Sequence, residues 1–273
     1  MNDDRTIWWW VLGAFVLAAA GGAWWWWQGR TPAPAPVAQV AAPEQPAPET
    51  PKPQAAEHPI EAAPAALAAT GDTAPLPALA ESDSALRSAI SSLIGEQALI
   101  EFFQMTGIAT RLVATVDNLP RGKLATKILP VRAPGGAPVV DGEAGERVLG
   151  AANAGRYAAH VRLAEAVDSR RAAAVYLRFY PLLQQAYREL GYPQGNFNDR
   201  LVAVIDHLLA TPVIEGPIRV DQPKVLYEFA DPGLEARSAG QKLLLRMGAA
   251  NAARVKGKLI EFRRQITAAP LPQ

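Results

Sequence analysis

Histidine and cysteine, the side chains that most often bind metals or attack substrates, are rare in this sequence. The chain has three histidines, His58, His160 and His207, and no cysteine. Thiol catalysis and cysteine-bound metals are therefore excluded, and no pair of histidines has the spacing of a zinc motif. Asp206 precedes His207, but consecutive residues of a helix do not face each other. We expect His207 to be a partly buried helix residue, and we expect no metal ion or cofactor.

The nearest approach to a serine nucleophile motif is ARSAG around Ser238. It lacks the first glycine of the G-x-S-x-G turn, so a serine hydrolase is not indicated. A phosphate-binding glycine loop is also missing, because APGG at 133–136 has the composition of a turn.

Four carboxylates remain as candidates for catalysis: Asp117, Asp199, Asp231 and Glu235. All lie at predicted helix ends, where a carboxylate caps backbone N–H groups or meets the positive end of the helix dipole. A glycan-cleaving enzyme would need two of them on opposite sides of a groove. The sequence leaves this arrangement open, and an envelope hydrolase acting on a glycan or peptidoglycan is the alternative function.

Basic side chains are concentrated between positions 241 and 264, where Glu261 is the single acid. They are Lys242, Arg246, Arg254, Lys256, Lys258, Arg263 and Arg264. Such a surface could bind an anionic polymer, acidic lipid or an acidic protein. A solvated helix face near the end of the chain is the other interpretation, since basic residues also favour a helix carboxyl end. Residues 1–80 hold 3 of the 27 basic and 7 of the 26 acidic residues, which leaves a net charge of +5 on residues 81–273. This excess is not typical of nucleic-acid binding, and we expect no nucleic acid partner.

An uncharged apolar run covers residues 7–27, and every tryptophan of the chain lies near one of its two ends, at 8–10 and 24–27. A helix of this length spans roughly 30 Å, the thickness of the bilayer hydrocarbon. Tryptophan favours the two membrane interfaces. The run therefore predicts a single transmembrane anchor behind a short tail, residues 1–6. A cleaved signal peptide is the alternative, but Asp3 and Asp4 are unusual at the start of one.

We expect the anchor to lie in a bacterial inner membrane, with the carboxy-terminal domain on the periplasmic side. Small residues recur along one side of the anchor, at Ala14, Ala18 and Gly22. This spacing lets two helices approach closely and predicts a possible homodimer through the bilayer. In so Ala- and Gly-rich a run, the same spacing also arises by chance.

A Pro/Ala-rich stretch follows at residues 28–80 and holds half of the 24 prolines. Proline fixes φ and lacks a backbone donor, so this stretch should form neither helix nor sheet. We expect a disordered tether between the anchor and a globular domain, residues 81–273.

The domain pattern predicts a mainly α fold: a single helical domain with a minor β-hairpin. The first helix should begin at Ser82 or Asp83 and stop at Gly95. Further helices are expected from about 96 to 106, from 108 to before Pro120, after a cap at Asn198, and from about 239 to 266. Between a cap at Asp168 or Ser169 and a stop at Gly191, an apolar stripe continues through Pro181 and predicts either one kinked helix or two abutting ones. A short strand is expected near 124–129, and alternation over 218–229 predicts the hairpin.

A family resemblance rests on three characteristic stretches of sequence: ATVDNLPRG (114–122), YPLLQQAYRELGYPQGNFNDRLVAVIDHLLATP (180–212) and YEFADPGLEARSAGQKLLLRMGAANAARVKGKL (227–259). Over about residues 82–264 the chain resembles an uncharacterised bacterial family, domain of unknown function 3014. The resemblance implies the same layout of anchor, Pro-rich segment and domain. It implies no activity, cofactor or catalytic residue.

These observations predict a membrane-anchored envelope protein, namely a periplasm-facing binding or scaffold module. Its expected partners are the lipid bilayer, through residues 7–27, and an envelope protein or anionic polymer.

Overall fold

The structure, a computed structural model, describes residues 56–60 and 75–267, all within one compact unit, residues 51–273. The helices described are α1 (Asp83–Ile94), α2 (Glu96–Phe102), α3 (Ile108–Asn118), α4 (Ala158–Ala166), α5 (Ser169–Glu189), α6 (Phe197–Leu209), α7 (Pro232–Glu235), α8 (Ala239–Arg246) and α9 (Ala249–Thr267). Short 3-10 helices cover Leu79–Glu81, Thr126–Ile128 and Ala151–Tyr157. The mainly helical class is thus confirmed for the described residues.

The predicted anchor, its possible dimer face at Ala14, Ala18 and Gly22, and most of the predicted tether lie outside the described residues. Within 56–60 and 75–267, no helix has both the length and the apolar character needed to cross a membrane.

The central helix of the core is α5, which packs against α3 on one side and α9 on the other. Its buried positions include Phe179, Leu182, Leu183 and Ala186, which follow a helical period and face the core. Helix α6 completes the group by packing on α3 and α9. The helix continues through Pro181, whose ring lies on the exposed side, so the predicted stripe forms one helix and not two.

Local capping signals set several helix ends as expected. Asp168 accepts a hydrogen bond from the N–H of Arg171 and caps α5. Gly95 and Gly191 have φ values of 85° and 115°, which favour glycine after a helix. The predicted cap of α6 at Asn198 is wrong. Asn196 caps that helix instead, and Asn198 lies fully buried in its first turn.

Residues 75–267 contain two small antiparallel hairpins, where the sequence predicts one. The expected hairpin pairs β3 (Val220–Asp221) with β4 (Glu228–Phe229). A second, unexpected hairpin pairs β1 (Val140–Asp141) with β2 (Val148–Leu149), and a bridge between Val148 and Arg219 joins the two. Ile218, Val220, Phe229 and Leu245 form a second apolar cluster beneath them.

Three predicted boundaries differ from the structure. The strand expected at 124–129 is the 3-10 helix Thr126–Ile128. The second helix ends at Phe102 and not near 106, because Phe103 pairs with Val131 in an extended bridge. The last helical region is two helices, α8 and α9, separated at Gly248, whose φ of 82° ends the first.

Candidate functional site

The structure brings Ser238 close to His207, with 2.8 Å between the hydroxyl and the imidazole Nε2. The same hydroxyl accepts the N–H of Gln241 and so caps α8. The neighbouring carboxylate of Asp206 accepts hydrogen bonds from Nε and Nη2 of Arg263 and does not orient the imidazole. His207 is half-buried, as the sequence indicates, and the pair ties α6 to α8. The sequence contains no local signal for this contact.

Asp117 is the most buried of the four candidate carboxylates, with 2% of its side chain exposed. Its oxygens lie 2.6 Å from Arg121 and 2.9 Å from Arg200, and the Tyr192 hydroxyl is 3.2 Å away. The hydrogen bond from Arg121 to Asp117 and their attraction raise the pKa of that guanidinium. We call Asp117, Arg121, Tyr192 and Arg200 the Asp117 cluster.

The sequence-based interpretation of Asp117 as a cap or dipole partner is wrong. Asp117 lies in the last turn of α3, where the dipole disfavours a negative charge. Two guanidinium groups compensate for this position, and one of them, Arg200, also donates to the Asp117 carbonyl at 2.8 Å. The cluster therefore joins the end of α3 to the start of α6.

The other three carboxylates also have contacts within the domain. Asp231 caps α7 by accepting the N–H groups of Gly233 and Leu234. Glu235 pairs with Lys242 at 2.6 Å and accepts the N–H of Phe229. Burial would raise the pKa of Glu235, but these two hydrogen bonds outweigh it and the pKa is lowered.

Asp199, in the first turn of α6, accepts two backbone N–H groups from a segment that precedes α1 in the chain. The donors are Glu57, at 3.0 Å, and His58, at 2.7 Å. Beside this contact lies an open cleft of about 560 Å³, lined by Glu57, Tyr187, Gln194, Gly195, Asn196, Asp199, Arg200 and Ala203. Charged groups of both signs therefore line the cleft.

The seven basic residues singled out in the sequence lie in separate places. Lys242 and Arg246 are on α8. On α9, Arg254 and Lys258 share one side, whereas Lys256 and Arg263 share the opposite side, as the 3.6-residue period requires. Arg264 is exposed.

Six of the seven have partners inside the domain. Side-chain carboxylates pair with Lys242, Arg254, Lys258 and Arg263, and backbone carbonyl groups accept from Arg246 and Lys256. Burial lowers the pKa of Lys256. Binding of an anionic partner by this set stays a prediction.

An apolar groove of about 300 Å³ runs beside the first half of α9. We call it the α9 groove; its lining is Pro212, Val213, Ile214, Ile218, Leu244, Leu245, Ala249, Ala252, Ala253, Lys256, Gly257 and Ile260. Val213 is 66% exposed and Ile260 is 39% exposed. A neighbouring hollow of about 310 Å³ shares Ile214, Ile218, Leu245 and Ala249 with it.

Small residues give the α9 groove its depth. Ala249, Ala253 and Gly257 follow one another at four-residue spacing along the exposed side of α9, and Gly257 has open space where a side chain would be. This spacing is visible in the sequence, but the facing wall, the loop at 212–218, could not be placed against it without the fold.

Residues 108–263, from α3 through most of α9, match a family described as Protein of unknown function (DUF3014). The chain belongs to this family. The match confirms the resemblance seen in the three characteristic stretches of sequence, and it covers both the Asp117 cluster and the α9 groove. No curated protein and no solved structure matches the chain.

Proposed function

We propose that this DUF3014 member is a single-pass protein of the bacterial inner membrane whose periplasmic domain binds another envelope protein. The apolar run at 7–27 with tryptophan at both ends supports the anchor, and the Pro/Ala-rich stretch after it supports a tether. The domain then acts as a binding or scaffold module held near the membrane.

The α9 groove is the observation that carries the binding role. Its walls are almost entirely aliphatic, and the exposed side chain of Val213 stands at its edge. Contiguous apolar surface of this kind on a folded domain is typical of a contact with another protein. Aliphatic side chains of a partner segment would fill the space left by Ala253 and Gly257.

A protein partner is better supported than an anionic polymer. Six of the seven basic side chains are already engaged within the domain, so binding a polyanion would have to compete with these contacts. The hydrolase alternative has less support, because Asp117, Asp199, Asp231 and Glu235 all hold helix ends or chain segments in place.

Site-specific photocrosslinking in intact cells tests the groove. A photoreactive residue at Val213 should give a discrete protein adduct, and one at Ile100, which is 57% exposed on α2, serves as the matched control. Ala253→Trp, which fills the groove, should abolish the Val213 adduct. Equal adducts at both positions, or an adduct unaffected by Ala253→Trp, would contradict the proposal.

Reporter fusions after residue 80 test the orientation separately. Alkaline phosphatase, active only in the periplasm, should be active in this fusion, and a reporter that functions only in the cytoplasm should be silent. The reverse pattern would exclude a periplasmic domain.

A further inference from the structure

Residues 56–60 of the predicted tether lie against the domain; we call them the docked segment. The sequence AEHPI there is flanked by residues outside the described part of the chain, yet its main chain is bonded at three points to the first turn of α6. The contacts join residues about 140 positions apart, so the domain itself holds the segment.

One side chain accepts the donors of the segment, and another donates to its carbonyl group. The two carboxylate oxygens of Asp199 each accept one N–H, from Glu57 and from His58. The amide of Asn198 donates to the carbonyl of His58 at 2.9 Å. Hydrogen bonds to an ionised carboxylate are stronger than those between neutral groups. These hydrogen bonds involve only main-chain atoms of residues 57 and 58 and do not depend on the side chains of those residues.

Asn198 is completely buried and fixed from three directions. Its carbonyl oxygen accepts the Tyr176 hydroxyl at 3.0 Å, and its amide also reaches the carbonyl of Ile266 near the end of α9. The donor that meets His58 is therefore preorganised by α5 and α9, as in a built binding site.

Side-chain selectivity comes from Ile60, which packs against the main core cluster. Pro59 precedes it, and a proline at this place favours extended backbone in His58 and restricts its own φ. The required ligand is thus an extended segment with two successive N–H groups, a carbonyl group and an aliphatic side chain two residues after that carbonyl.

We propose that Asn198 and Asp199 form a docking site for an extended peptide of this kind, and that the chain's own residues 56–60 occupy it as an intramolecular latch. A partner segment with the same pattern would bind by displacing the docked segment. The inference goes beyond the proposed binding role by adding a second site with a defined ligand, formed by residues that do not line the α9 groove.

Hydrogen exchange on the purified full chain in detergent tests the latch. The amides of Glu57 and His58 should be protected, and Asp199→Ala should speed their exchange at least about tenfold, since two charge-assisted hydrogen bonds are lost. Glu57→Gln is the matched control, because the Glu57 N–H and not its exposed side chain makes the contact. Equal exchange in the wild type and Asp199→Ala would overturn the latch.

A labelled peptide of residues 54–62 tests recognition in trans. His58→Pro in the full chain removes one of the two N–H donors, which should release the docked segment, and it leaves Asn198 and Asp199 unchanged. This variant should therefore bind the peptide saturably and at least about tenfold more tightly than wild type. Adding Asp199→Ala to that variant, or Ile60→Asp to the peptide, should weaken binding at least about tenfold. Absent binding, or binding indifferent to both changes, would overturn the docking site.

Neither measurement depends on a membrane, on orientation or on the α9 groove. Failure of the Val213 crosslink with success here would remove the proposed groove partner and leave the docking site. Success of the Val213 crosslink with failure here would remove the docking site and leave the proposed groove partner.

Discussion

Asp117 is a buried charge that holds the end of α3 to the start of α6 through its hydrogen bonds. Its carboxylate is almost fully removed from water, and such a charge is costly unless it is paired. Arg200 supplies hydrogen bonds to both the carboxylate and the carbonyl of Asp117 and has 30% of its side chain exposed, whereas Arg121 is 55% exposed. The two arginines should therefore differ in their contribution to stability.

We expect Arg200→Ala to lower the free energy of unfolding by about 3 kcal/mol, because it leaves a buried carboxylate poorly paired. Arg121→Ala should cost much less, as for a solvent-screened pair. Urea unfolding followed by circular dichroism measures both. Equal losses would show that burial of Asp117 does not govern the cluster.

Glu235 should make stability depend on acid pH. Its pKa in the folded state lies below the ordinary value of 4.5, so its stabilising effect is present above that pH and is lost as the pH falls through the folded-state pKa. Glu235→Gln should cost about 1 kcal/mol at pH 7, and its difference from wild type should shrink below pH 4.5. Glu228→Gln, on the exposed side of β4, is the control and should show no such trend.

At the scale of elements, helix α8 approaches its neighbours through a glycine. A side-chain carbon on Gly240 would lie 2.6 Å from a methyl group of Leu208 and 3.2 Å from the carbonyl oxygen of Leu119. The N–H of Gly240 also donates to that carbonyl at 2.9 Å. The start of α8 is therefore held directly on the chain that follows α3.

Gly240→Ala should destabilise the domain by about 1–2 kcal/mol through overpacking. Gly257→Ala is the matched control, since Gly257 lies inside α9 with nothing within 4 Å of the added carbon. This control should stabilise the domain by about 0.5–1 kcal/mol, as alanine favours helix. Thermal unfolding of the two variants in parallel measures both changes in stability. A stabilised Gly240→Ala would mean that Leu208 and Leu119 move aside at no cost in free energy.

Elements with strong local signals could be predicted from the sequence, and contacts between distant elements could not. Asp168, Gly95 and Gly191 mark helix ends because a cap or a positive φ depends on a few neighbouring residues. Hairpin β1–β2 lies in a Gly/Pro-rich stretch that lacks the alternation of apolar and polar residues seen over 218–229. The segment 56–60 has the composition of a linker, and its place depends on a carboxylate far along the chain.

For the whole molecule, the structure sets the start of the folded domain before residue 81. Leu76 and Leu79 pack on the core cluster, and residues 79–81 form a 3-10 helix that contacts α5. A fragment that begins at Pro75 keeps these contacts and loses only the residues before them.

We expect the fragment 75–273 to unfold cooperatively with a helix-rich circular dichroism spectrum, because the whole main core except Ile60 lies within it. It should also bind the labelled 54–62 peptide without any cis competitor. Calorimetry and circular dichroism test folding, and an aggregated or molten product would mean that the segment before Pro75 is required for the fold.

Residues 61–74 join the docked segment to the domain, and their length has a consequence for any competitor. A short linker keeps a ligand near its site at an effective concentration on the order of millimolar. A free peptide of equal intrinsic affinity must reach a similar concentration to replace the docked segment. A competitor at a much lower concentration therefore does not displace it. Lengthening this linker lowers that threshold only slowly, whereas moving the AEHPI sequence onto a separate chain abolishes it.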